Sequence, residues 1–316
     1  MRQPQSAQCR VDATPAIDAR PEQLFAPIND LPLSMVYTIG ILDAEDGSSW
    51  FPVRGFFTDV TRSARPMVAP PGGDYTLAPE AADCYSGPVE SGRRDASWGF
   101  RQPDGTSLLT LNGSDVELTE GGFLAIGGDA VGPACRLSVD HRDHPLVYTS
   151  RAFRVRGRIR DCAVDGVLFV DAIHTLPGRS LFPSPYVESL QVAWCSFANE
   201  FVDGSWESGL LLAGRDGYSA LCVQHDGQPL AATGRLDSAA YDVEATEPGF
   251  PRRVTVSGAG QSFDWRAPDA GRWPVMSHYA PDHRMRRGTL QRMGAGPVRR
   301  SLALVEGYVD RMAEHP

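Results

Sequence analysis

The sequence predicts an all-β protein made of two antiparallel barrel-like or sandwich-like halves. Short apolar or alternating runs recur at the roughly 8 to 12 residue spacing of such folds. Asp-Gly pairs close many of these runs, as two-residue hairpins prefer. No sustained helical period appears. With 32 glycines and 25 prolines in 316 residues the chain is turn-rich, while 42% hydrophobic and 22% charged residues exclude disorder, collagen and coiled coil.

Taken in order, residues 1–30 are polar and broken by Pro4, Pro15, Pro21 and Pro27, which predicts an N-terminal arm. Strands are expected at 34–42, closed by Asp46-Gly47, and at 50–57. Residues 61–96 hold a Pro-Pro-Gly-Gly run and no period; they read as a long loop with a short strand near Tyr75, the kind of insertion that often carries function. Strands resume at 96–101, 107–111, 116–118, 123–126 and 135–140, which completes a first domain over 31–150. The second domain, 151–316, opens with the strict alternation of 153–160 and the apolar run 167–170. Residues 187–201 then form what reads as the longest strand, and shorter ones follow at 208–213, 218–224, 239–244, 253–257 and 262–265. The tail, 300–312, is read as strand because Gly307 opposes helix. Some 16 to 18 strands exceed one small barrel, and no sequence repeat relates the halves.

Charge and composition exclude several function classes. A net charge of −9 opposes a generic nucleic-acid partner, because phosphate binding begins with a positive field. The chain has no lysine, so it has neither a Schiff-base lysine nor a P-loop lysine. The six cysteines form no Cys-x-x-Cys pair and read as reduced, buried side chains. The cluster Asp140-His141-Arg142-Asp143-His144 is followed by Pro145 and flanked by strands, so its histidines do not share a helical face and it reads as a turn. Neither Gly-x-Ser-x-Gly, a dinucleotide fingerprint, nor His-Glu-x-x-His occurs. No metal or cofactor is expected. No apolar run reaches membrane-span length and the N-terminus lacks an apolar signal core, so the expectation is a cytoplasmic protein. The oligomeric state is left open.

In the second half, Tyr148, Val155-Arg-Gly157, Val164-Asp-Gly-Val-Leu-Phe-Val-Asp171, the run Trp194 to Gly204 and Glu207-x-Gly209 follow one another in an order that resembles the carotenoid 1,2-hydratase and AttH-like group of two-domain lipocalin-like proteins. The resemblance covers about residues 90–265. It implies two lipocalin-like domains and a place among hydratases of long polyenes, cyclising enzymes such as lipocalin-like Diels–Alderases, and members of unknown activity. Hydratase-like members carry a His-Asp-x-Asn/Ser-Trp-Gly run where this chain has Asp171-Ala-Ile-His174-Thr-Leu-Pro-Gly178, which leaves Asp171 and His174 as possible counterparts.

The long strand supplies the other candidates. By period two, Glu188, Trp194 and Glu200 share one face, and Phe197 and Asn199 share the other. A carboxyl beside Trp194 in a barrel interior would be desolvated and hold its proton near neutral pH, as a proton donor to an alkene requires. Glu200, Glu188, His174 and Asp171 are therefore the candidate catalytic residues. Tyr186 stands in the Pro-rich connection before the strand. Trp194, Tyr186, Phe197, Trp98, Trp273 and His278 are the candidate ligand-binding residues.

These readings lead to an expected cofactor-independent cyclase, isomerase or hydratase that holds a hydrophobic isoprenoid or polyketide chain in a barrel cavity, in natural-product biosynthesis. The alternative is a non-catalytic carrier on the same scaffold. A buried carboxyl or imidazole without a salt partner distinguishes the two.

Overall fold

The computed structural model describes residues 9–62, 65–246, 249–275 and 280–314. Among the described residues twenty-five strands, all antiparallel, form two curled half-barrel sheets of 16 and 9 strands. The second sheet is nearly a meander from Gln191–Phe201 onward, except that the last strand, Val298–Tyr308, inserts between Gln191–Phe201 and His283–Arg292. In the first sheet the central pair is Leu146–Ile159 and Cys162–Thr175, the latter also paired with Leu33–Ala44.

That central pair departs from expectation. The domain boundary expected at residue 150 falls inside Leu146–Ile159, a strand of the first sheet, and the chain passes to the second sheet only through residues 176–190. Each strand of the pair has 14 residues, so 187–201 is not the longest element; its start is a π-helical turn, Tyr186–Leu190, and the strand proper is Gln191–Phe201. The expected arm contains strand Arg10–Ile17, paired with Ala134–Asp140 on one side only, an edge position where Pro15 removes no needed ladder donor. Short strands also cross the expected 61–96 loop. The tail is strand to Tyr308 and then a five-residue helix, Val309–Ala313.

The faces of the central strands explain the packing. Along Cys162–Thr175, Val164, Leu168, Val170 and Ala172 point into the hollow of the first sheet, where they meet Phe56, Phe100 and Phe153. The alternate residues face the second sheet: Val167 and Phe169 lie with Met285, Leu302 and Leu304, and Ile173 lies with Leu210 and Leu212. Gln191–Phe201 behaves likewise, with Cys195 and Phe197 in the hollow of its own sheet and Trp194 and Ala198 against the first sheet. The two half-barrels therefore pack outer face to outer face along an apolar seam, each large side chain in it contributing about 1.5–3 kcal/mol. Two-sided burial is why these antiparallel strands read as nearly continuous apolar runs.

Candidate functional site

Asp171 lies in this seam. It is the one polar residue between Phe169 and Ile173 on a face that is otherwise apolar, and it is fully buried. Tyr148, one strand away on Leu146–Ile159, donates its hydroxyl to Asp171 Oδ2 at 2.5 Å. Asp171 forms no salt bridge among the described residues, and its Oδ1 accepts no well-formed hydrogen bond. Burial pushes the carboxyl up to about 6, while the neighbouring Ser150 and Tyr148 hydroxyls favour the anion. Burial, with Asp171 beside it, pushes the Tyr148 phenol well above its ordinary value, so Tyr148 remains a donor.

The second sheet closes over this pair. The Trp194 ring meets Tyr148 edge-on at 4.8 Å between centroids, and its Nε1 donates to Ser196 Oγ at 2.9 Å, which fixes the indole. Glu306 pairs with Trp194 across the ladder; its Oε1 accepts from Gln191 Nε2 at 3.3 Å and lies 3.1 Å from His283 Nε2. Tyr186 stacks on Tyr218 at 4.9 Å and donates its hydroxyl to the His144 carbonyl. Leu181 and Phe182, from the connection 176–190, cover the seam and are only half-buried, with the Phe182 ring 6.4 Å from Tyr37.

No protein-family model and no curated protein matches this sequence. Among solved structures the chain is similar to a Nitrosomonas europaea protein assigned as an AttH, with a TM-score of 0.50 and 15% identity over 93% of this chain and 99% of that one. The fold is AttH-like. A further match is kievitone hydratase from Nectria haematococca, with a TM-score of 0.45 and 10% identity over 95% of this chain and 97% of that one. At 15% identity the arrangement of strands is what the Nitrosomonas europaea protein shares with this chain.

Within the AttH-like fold the sequence-predicted residues separate into different places. Asp171, Trp194 and Tyr186 come together in the seam. Phe197 is on the opposite face of the strand, inside the second half-barrel against Phe263 at 6.0 Å. Trp98 belongs to the first half-barrel, where it meets Phe25 of the short helix Pro21–Phe25 at 5.3 Å. Trp273 is buried against Phe51 at 4.4 Å, at the far end of the seam. His278 lies outside the described residues.

Three of the four candidate acid–base groups lie elsewhere. His174 is completely buried; its Nε2 donates to the Ala26 carbonyl at 3.0 Å, and burial pushes the imidazole down to about 4, so the ring is neutral and anchors the segment after the helix. Glu200 is buried, with its Oε1 3.3 Å from Arg299, and lies six residues, or roughly 20 Å, along the strand from Trp194. Glu188 is exposed on the π-helical turn. The face shared by Trp194 and Glu200 turns toward the first sheet, whereas the expectation put it in a barrel interior.

Sequence reasoning gave no role to Tyr148 or Glu306. The pairing of residue 148 with 173 and 150 with 171 places Tyr148 on the same face as Asp171, a relation that depends on register across a hairpin. Glu306 entered only as part of the tail read as strand. Among the described residues no group of three or more potential ligands is arranged to hold a metal ion, and His144 of the histidine-rich turn is bonded to the Ser180 carbonyl at 3.1 Å.

Proposed function

We propose that this chain is a cofactor-independent enzyme that protonates an unsaturated, hydrophobic isoprenoid or polyketide chain in the seam between its two sheets, leading to hydration, isomerisation or cyclisation. The observation that carries the reading is Asp171, a wholly buried carboxyl with a tyrosine partner and no cation. A surface carboxylate is ionised at neutral pH and a salt-bridged one is held ionised, so neither donates a proton well; desolvation without a cation keeps the acid form available.

In this reading the Asp171 proton passes to one alkene carbon and the π electrons leave the neighbouring carbon cationic. The new carboxylate is stabilised by the Tyr148 hydroxyl, while the aromatic face of Trp194 favours the cation. Attack by water gives the alcohol and returns a proton to Asp171. Loss of an adjacent proton to Asp171 gives the isomer. Attack by a second alkene of the chain closes a ring before that proton is lost. Substrate enters by displacement of Leu181 and Phe182, the half-buried cover of the seam.

The test is solvent deuterium incorporation into a linear isoprenoid polyene incubated with the protein in D2O. Wild type is expected to label the polyene, and Asp171→Asn to do so at least about 100-fold more slowly, the usual contribution of a positioned acid. Equal labelling by both proteins contradicts the reading.

One observation favours the second reading, a non-catalytic carrier. Two cavities of about 460 and 410 Å3 open at the far end of the seam, and Asp171 lines neither. A carrier binds the polyene without labelling it.

A further inference from the structure

The cavity of about 460 Å3 opens where Leu33–Ala44 leaves the seam, six residues or roughly 20 Å beyond Tyr37, the ladder partner of Asp171. Residues 43–49 and 69–75 of the first sheet form one wall, and 266–271 and 287–289 of the second form the other. Backbone bonds clamp the walls together: Tyr75 N donates to the Arg272 carbonyl at 2.8 Å and Gly271 N to the Gly73 carbonyl at 3.2 Å. Gly271 has φ +84°, and a Cβ there would stand 3.2 Å from the Arg287 carbonyl, so this close approach requires glycine.

The polar groups in the cavity are donors short of acceptors. Arg287 Nη1 lies 2.7 Å from Asp43 Oδ1 and donates to Ser49 Oγ, but neither Nε nor Nη2 of Arg287 has an acceptor among the described residues. Asp43 also binds Arg300 Nη2 at 2.8 Å, and Asp165 pairs with both Arg300 and Arg156, so two carboxylates are shared by three guanidinium groups and Arg287 is incompletely neutralised. Tyr75, only 3% exposed and lining the cavity, has a hydroxyl that makes no well-formed hydrogen bond; it lies close to Arg287 and Ser49. A buried hydroxyl without a well-formed bond is held at a cost that a ligand acceptor would relieve. Ala69, Pro70, Ala267, Pro268 and Ala270 supply apolar wall. In a chain of net charge −9 this is a local positive site.

We propose that this cleft binds a small organic carboxylate, with the carboxylate on the Arg287 guanidinium and the Tyr75 hydroxyl and the carbon chain along the apolar wall. A guanidinium edge with two donors matches a carboxylate in plane. The volume is that of a ligand site. Asp43 within the lining disfavours a dianion such as phosphate. Burial holds the Tyr75 phenol above its ordinary value, so it stays a donor. The site accounts for the stretch 69–75 within the Pro-rich 61–96 segment, and it is independent of proton transfer at Asp171.

The experiment is calorimetric titration of the full chain near neutral pH with octanoate, octanol and inorganic phosphate. Octanoate is expected to bind once per chain, octanol at least about tenfold more weakly, and phosphate not at all. Arg287→Gln is expected to weaken octanoate at least about tenfold and Tyr75→Phe about fivefold, while Asp43→Asn tightens it by removing the competing anion. Asp171→Asn is expected to bind octanoate as wild type does, which separates this proposal from the catalytic one. Should Arg287→Gln fail to fold, Tyr75→Phe and Asp43→Asn decide. Equal binding of octanol and octanoate, phosphate binding in preference to octanoate, no octanoate binding, or weaker binding by Asp43→Asn overturns the proposal.

Discussion

Two carboxyls are buried on opposite faces of the first sheet, and they have different partners. Glu120, inside the half-barrel, lies 2.9 Å from Arg54 Nη1, and Arg54 Nη2 donates to the Tyr85 carbonyl at 2.6 Å. Burial pushes Glu120 up to about 7 even though Arg54 pulls it back. That pair fastens the long 61–96 segment to the barrel wall. Asp171, on the outer face, has a hydroxyl partner but no cation, and nothing in the architecture depends on its charge. Burial alone therefore does not mark a functional acid. In the proposed reading the partner decides, because a guanidinium commits the carboxyl to holding structure while a hydroxyl leaves its proton free to move.

The largest effect expected from this contrast is at the pair. Arg54→Met strands Glu120 in the interior and should destabilise the fold by about 3–5 kcal/mol at alkaline pH, measured by denaturant unfolding. The loss should shrink at about pH 5, where Glu120 is neutral. A pH-independent loss would mean that Arg54 acts by packing alone.

Asp171→Asn tests the other side of the comparison. With the native pKa raised from 3.8 to about 6, the folded state binds more protons than the unfolded state in that interval, so the wild type loses stability as pH rises through it. The asparagine variant escapes this loss. Above about pH 6 it should be more stable than wild type by up to about 3 kcal/mol, with the gain vanishing below about pH 4. If Asp171 is the proposed acid, this variant gains stability while losing labelling activity, as expected of a site held against its own preference.

His174→Ala has the opposite sign in pH. Its native pKa falls from 6.5 to about 4, so the folded wild type binds fewer protons than the unfolded chain and loses stability as pH falls through this window. The alanine variant should cost about 1–3 kcal/mol at neutral pH, because the Ala26 carbonyl loses its donor, yet show less acid sensitivity between about pH 6 and 4. The smallest effect is expected at Glu188→Gln, within about 0.5 kcal/mol and without change in labelling rate, since the side chain is exposed.

The same contrast explains what the sequence could convey. Hairpins were legible because Asp-Gly turns have a local cause: Gly47, Gly105, Gly204, Gly217 and Gly227 all take positive φ at these points. The strand His283–Arg292 was not, since four arginines interrupt its apolar pattern; two of them, Arg284 and Arg286, are buried, and Arg286 is paired with Glu244, more than 40 residues away. Parity along 162–175 put Asp171 on one face with Phe169 and Ile173. It did not say which face meets the other sheet, because both faces are apolar in strands packed between a barrel hollow and a seam. The π-helical turn at Tyr186–Leu190 depends on Arg311, which donates to the carbonyls of Val187 and Gln191 at 3.1 and 2.6 Å from more than 100 residues away. No local pattern carries such a contact.

The account rests on Asp171 holding its proton in the seam well above the ordinary aspartate range. Infrared difference titration of the full chain, with Asp171→Asn subtracted, reads this directly through the protonated carboxyl C=O stretch. The predicted result is a single carboxyl that titrates with a midpoint near 6 and vanishes in the variant. A band already lost below pH 4, the ordinary behaviour of a solvated or salt-bridged aspartate, would contradict it.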